Sequence, residues 1–127
     1  VVTTPQDLAL LDAGKAVAMF EKLDVPVLGL VENMSYLVGP NGEQIDVFGK
    51  GGGRRMAEAM GIPFLVELPL DPNVRIGGDS GSPVALNPAG PGAPFQELAT
   101  GVSTAMVGSC LHAVGATLSK VWRNQSG

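Results

Sequence analysis

Leu10, Ala13, Val17 and Phe20 recur at spacings of three, four and three, while Asp12, Lys15 and Glu21 fall off that line. Such a stripe marks an amphipathic helix laid on a core. Thr4-Pro5-Gln6-Asp7 supplies its start, since Thr4 can cap, Pro5 suits the first helical position and Asp7 sits three residues after the cap. The pattern predicts a helix ending near Asp24. Residues 25–31 are nearly all apolar, rich in Val and Leu and too short for a second helix, which predicts a strand buried on both faces of a parallel sheet. Glu32 and Asn33 fall at its carboxyl end. Val1 and Val2 read as the end of another buried strand that begins before the first residue given.

Residues 36–38 and 44–48 flank Gly39-Pro40-Asn41-Gly42, and Asn-Gly between two extended runs predicts a hairpin projecting from the sheet. Gly49-Lys50-Gly51-Gly52-Gly53 then opens a short helix over 54–60, stopped by Gly61 with Pro63 just beyond. A second apolar run, 64–68, predicts another strand. Asp71 can cap and Pro72 can begin a short helical turn, residues 77–94 read mostly as loop, and Pro94 starts a final helix through Phe95 and Leu98. Alternation of strand, helix, strand, excursion, helix and strand is that of an α/β sheet with right-handed crossovers.

Composition narrows the picture further. At 127 residues with 45% apolar content the chain is the size of one domain with its own core. Eighteen Gly and ten Pro point to many tight turns, and 16% charged residues with a mean hydropathy of +0.25 exclude disorder. A net charge of −4 leaves no broad basic footprint for nucleic acid. Cys110 is the only cysteine, so no internal disulfide forms, and the chain reads as intracellular or organellar rather than secreted. No basic segment precedes an apolar one at the start, as a signal peptide would need. Residues 98–119 run for 22 positions without a formal charge, long enough to span a membrane. Thr, Ser, Gly and His112 dilute that stretch, which reads instead as a packed or amphipathic helix. His112 reads as structural or exposed, with no cluster of ligands around it.

In an open parallel sheet, ligands gather outside the carboxyl ends of the strands, where loops and helix N-termini converge. Asn33 lies at one such end, and its amide both donates and accepts, which suits the amino and ring-nitrogen edge of a purine. A turn or cap role fits the same position. Pro69 and Asp71 lie at the next strand end, offering an apolar wall and exposed backbone groups. The Gly-rich segment 49–53 is not a Walker A loop, because Gly53 is followed by Arg54-Arg55 where Gly-Lys-Ser/Thr is needed. It reads as a flexible start to the next helix.

Four segments in order carry a resemblance: Val2-Thr3-Thr4-Pro5-Gln6-Asp7-Leu8-Ala9-Leu10-Leu11-Asp12-Ala13, Val25-Pro26-Val27-Leu28-Gly29-Leu30-Val31-Glu32-Asn33-Met34-Ser35-Tyr36, Phe48-Gly49-Lys50-Gly51-Gly52-Gly53 and Leu68-Pro69-Leu70-Asp71-Pro72. Over residues 1–100 the chain resembles the carboxyl-terminal half of the Mrp-type (ApbC-type) iron-sulfur cluster carrier ATPases, deviant-Walker proteins related to MinD and ParA. The resemblance implies a P-loop NTPase-like fold, a mostly parallel sheet flanked by helices, with residues 101–127 as a terminal helix and tail. It implies a homodimer that binds ATP with Mg²⁺, holds a labile [4Fe-4S] cluster and passes it to apo iron-sulfur client proteins. By the same resemblance Asn33 recognises adenine, Pro69 and Asp71 pack near the base, and Asp12 lies on the phosphate and dimer side. The family's phosphate loop and switch aspartates match nothing in these residues, so this chain alone is expected not to hydrolyse ATP. A nucleotide switch like MinD or ParA, or an interaction module without a cluster, is the alternative.

One departure bears on the cluster. Many members of that family carry Cys-x-x-Cys between the positions matching Tyr36 and Phe48, where two thiolates from each subunit bridge one cluster. Here the place reads Val38-Gly39-Pro40-Asn41-Gly42-Glu43, with no cysteine. Glu43 and Asp46 are hard oxygen donors and do not substitute.

Overall fold

The two apolar runs read as strands lie side by side and parallel in the computed structural model, which describes the backbone of residues 1–125 and the side chains of 1–111. In chain order the elements are β1 (Val2–Thr3), α1 (Asp7–Lys22), β2 (Leu30–Glu32), β3 (Leu37–Val38), β4 (Gln44–Ile45), α2 (Gly52–Met60), β5 (Phe64–Glu67) and α3 (Pro72–Ser80). Two 3-10 turns, Val84–Leu86 and Gly90–Gly92, lead to α4 (Ala93–Gln125). The sheet order is β1-β2-β5, all parallel, with Val31 opposite both Val2 and Val66. This is the α/β architecture expected.

Alternation along β2 sends Leu30 and Glu32 to one face and Val31 to the other. Gly53 in the first turn of α2 lies against Leu30 and Glu32 on the first face, while Gly52 beside it lies against Pro5 and Leu10. On the second, Phe95 and Leu98 of α4 pack against Val31, Val66 and Leu68. Both faces of the central strand are therefore covered by helix, and Leu30, Val31 and Glu32 are all buried.

Several elements differ from expectation. Only the end of the apolar run 25–31 is strand, and Val25 is 46% exposed. The ladder to β5 begins where Leu30 donates to the carbonyl of Pro63, and Pro63 has no N–H to extend it backwards. Helix α1 starts at Asp7, because Gln6 takes the cap position in extended conformation while the Thr4 hydroxyl turns to the Gln6 side chain at 3.1 Å instead of capping. Helix α3 is a nine-residue helix rather than a short turn, so residues 77–94 are less loop-like than read. Its Asp71 cap, Pro72 in the first turn and left-handed Gly81 at the far end define both ends of a sequence that looks like loop. The hairpin β3-β4 forms as expected, antiparallel with Val38 opposite Gln44. Helix α4 begins beside Pro94 and continues unbroken past residue 100. Among the described residues, no helix is long and apolar enough to cross a membrane.

Candidate functional site

The carboxyl ends of β2 and β5 are laced into one edge. Asn33 N–H donates to the Thr3 carbonyl at 2.7 Å, Leu68 N–H to that of Glu32 at 2.8 Å, Ser35 N–H to that of Leu68 at 2.9 Å and Leu70 N–H to that of Tyr36 at 2.7 Å. Asn33 and Pro69 thus emerge on the same side of the sheet, as adjacent parallel strands require.

A cleft of about 480 Å³ opens beside this edge, lined by Val1–Thr4, one face of α1, and Asn33. Asn33 is half-buried there, with its Oδ1 accepting from the Met34 N–H at 3.0 Å. The same residue therefore serves its turn and faces the cleft: Oδ1 retains a second lone pair, and Nδ2 takes no partner among the described residues. Asp12 lines the cleft from α1, exposed and paired with Lys15 at 3.0 Å.

Pro69 and Asp71 are not among the cleft-lining residues. Pro69 is buried, within the segment that pairs with the Ser35-Tyr36 turn. The Asp71 carboxylate accepts from the backbone N–H of Asn73 at 2.8 Å and from its side-chain amide at 2.9 Å, which commits it to the start of α3. The structure brings together Asn33 and Asp12, and sets Pro69 and Asp71 on the neighbouring strand end.

Glu32 is the residue that the sequence reading left without a role. It is wholly buried, yet both carboxylate oxygens are used: Oε1 accepts from the Ser35 hydroxyl at 2.6 Å and Oε2 from the backbone N–H of Gly53. The Gly-rich segment is thus more than a flexible start. A Cβ on Gly53 would lie 2.8 Å from Glu32 Oε2, so only glycine lets the first turn of α2 reach the carboxylate. An acid ending an apolar run, a serine three residues on and a Gly-Gly helix start are the signals that point to it.

Among the described residues, no soft-ligand site accompanies the cleft, and no three His, Cys, Asp or Glu converge on a common point. Glu43 accepts from Asn41 N–H at 2.9 Å inside the hairpin, and Asp46 pairs with Lys50 at 3.7 Å. Cys110 is exposed on α4, remote in sequence from that hairpin. The side chain of His112 lies outside the described residues. These donors do not fit a thiolate-held cluster.

Comparison with known proteins agrees with the architecture. The sequence model of the ParA family described as NUBPL iron-transfer P-loop NTPase matches residues 1–103. The chain is 50% identical over 101 residues to an iron-sulfur cluster carrier protein of Pyrococcus abyssi, covering 78% of this chain and 34% of that protein. It thus spans about a third of the length of the curated relatives it matches. A nucleotide-binding protein of Archaeoglobus fulgidus solved in complex with ADP superposes with a TM-score of 0.55 at 39% identity, over 62% of this chain and 33% of that one. The cell division ATPase MinD of Pyrococcus furiosus superposes with a TM-score of 0.59 at 26% identity, over 80% and 40%.

Proposed function

Because the chain belongs to the NUBPL-type iron-transfer P-loop NTPases of the ParA family, we propose that it is the carboxyl-terminal part of an ATP-binding iron-sulfur cluster carrier. The observation that carries this reading is Asn33 at the end of the central strand, lining a cleft of about 480 Å³ with a free Oδ1 lone pair and an Nδ2 without a partner among the described residues. That donor and acceptor pair matches the ring nitrogen and amino group of adenine. Asp12 lines the same cleft and in this reading stands on the phosphate and homodimer side, while Pro69 and Asp71, outside the cleft lining, would border the base only from the neighbouring strand end. The phosphates and Mg²⁺ are held by a phosphate loop and switch aspartates outside these residues, and hydrolysis needs them. Residues 1–100 are the ATPase portion, and α4, which begins within it at Ala93, continues beyond it.

The cluster is cargo rather than a resident group. In the proposed cycle nucleotide state governs when a homodimer holds a [4Fe-4S] cluster and when it releases it to apo client proteins, within the cytoplasm or an organelle. The cluster's ligands come from outside the 36–48 segment, which has no cysteine. Calorimetric titration of the full-length protein with Mg-ATP, followed by anaerobic transfer of cluster to an apo iron-sulfur enzyme, tests the reading. Saturable binding with recovery of the client's activity supports it. Binding of ATP without any retained iron favours instead a nucleotide switch, the reading that the MinD superposition and the cysteine-free hairpin support.

A further inference from the structure

The geometry points to Glu32, acting with Ser35, as a positioning residue for nucleotide recognition, an inference that rests on the reading of Asn33 above. Asn33 occupies a four-residue turn, Glu32 to Ser35, whose third residue, Met34, has a φ of +53°. A side chain in that region is strained, and such a backbone persists only where its surroundings over-determine it. Here the bond from the Ser35 hydroxyl to Glu32 Oε1 closes the turn across Met34, inside the protein and away from solvent competition.

The other oxygen ties that turn to a separate element. Glu32 Oε2 accepts the Gly53 N–H in the first turn of α2, where the helix favours negative charge. The direction in which the Asn33 amide points is therefore set by a strand end, a hydroxyl and a helix terminus together. None of the three touches the cleft: Glu32, Ser35 and Gly53 are absent from its lining. They act on the nucleotide only through Asn33.

An anchor that aims Asn33 changes which base is bound, whereas one that merely holds the fold changes stability alone. The test measures ATP and GTP affinities of the full-length protein by calorimetry, beside its thermal transition, for Ser35→Ala, Ser35→Thr and Asn33→Ala. Ser35→Ala is expected to weaken ATP by about threefold to tenfold while moving GTP less than about twofold, with Ser35→Thr, which keeps the hydroxyl, restoring the preference. An unchanged ATP-to-GTP ratio in Ser35→Ala, when Asn33→Ala lowers it, overturns the positioning role and leaves the Asn33 reading intact. An unchanged ATP affinity in Asn33→Ala overturns both. If Ser35→Ala does not fold, Glu32→Gln carries the test with the same outcomes, since it keeps the side chain's shape but offers one acceptor in place of two.

Discussion

Glu32 and Gly53 meet inside the protein across 21 residues of sequence, the carboxylate of one accepting the backbone N–H of the other. The amide at the start of a helix is the group that receives phosphate in a phosphate-binding loop. In α2 this donor is already taken by the protein's own carboxylate, so the Gly-rich segment 49–53 joins strand to helix rather than cradling a ligand. The Ser35 hydroxyl fills the remaining oxygen of Glu32, leaving the buried group fully paired.

Replacing Gly53 measures how closely that joint is fitted. An alanine Cβ would sit 2.8 Å from Glu32 Oε2 and 3.0 Å from Leu30 Cδ2, both atoms of wholly buried side chains. Gly53→Ala is expected to cost about 1–3 kcal/mol by overpacking. Gly61 is a contrast, since it has a φ of +65° at the end of α2 with open space around it. Gly61→Ala therefore carries only the left-handed backbone penalty, about 1–2 kcal/mol. Urea denaturation of both variants, with Gly61→Asn and Gly53→Asn beside them, separates the causes: asparagine recovers stability at 61 but not at 53.

Two aspartates of the predicted site differ sharply in what they hold. Asp71 caps α3 through the Asn73 N–H at 2.8 Å, and Asp71→Ala is expected to cost about 0.5–2 kcal/mol, with Asp71→Ser recovering most of it. Asp12 pairs with Lys15 on the surface, the two side chains 68% and 78% exposed. Asp12→Ala is expected to change stability by less than about 1 kcal/mol. A denaturation midpoint of Asp71→Ala that matches the wild type would show that the cap is not formed in solution.

Much of the fold was legible because local signals and packing agree. The stripe from Leu10 to Phe20, the stop at Gly61 and the cap Asp71 before Pro72 each depend on neighbours within a few residues, and each appears where the pattern put it. What escaped depends on partners distant in sequence. The strand at 25–31 shrinks to its last residues because Pro63 on the adjacent chain segment ends the ladder. Glu32 looks like a surface acid until the chain returns at Gly53 to cover it. The site is similar in kind: Asn33 stood out by its strand-end position, but its sharing a cleft with Asp12 follows from α1 lying across β1, which no spacing reveals.

Asn33 is the residue on which the nucleotide reading turns. Its backbone N–H stays bonded to Thr3 whatever the side chain, so Asn33→Ala is expected to leave the sheet intact. If Asn33 reads adenine as proposed, removing the amide would leave the base edge unpaired, at an expected cost of about 1–3 kcal/mol in ATP binding by the full-length protein. Calorimetry that finds wild-type affinity in this variant, with an unchanged thermal transition, would remove Asn33 from the site.

The hairpin segment without cysteine bears directly on the cluster, and its consequence is testable on the chain itself. A thiolate-held [4Fe-4S] cluster is held by about four cysteine sulfurs. Cys110 is the single cysteine, so two copies offer only two sulfurs, both from exposed positions on α4 rather than from the hairpin. The hairpin's own acids are engaged, Glu43 with a backbone N–H and Asp46 with Lys50, and oxygen donors bind such iron poorly in any case. Two sulfurs would leave half of the irons without a protein ligand, open to water and to loss during desalting. Reconstituted anaerobically with iron and sulfide, the 127-residue chain is therefore expected to retain no stoichiometric cluster, and a cluster in the full-length protein is expected to survive Cys110→Ser. Retention of roughly four irons per pair of chains with a visible absorption band, abolished by Cys110→Ser, would overturn this and make Cys110 a ligand.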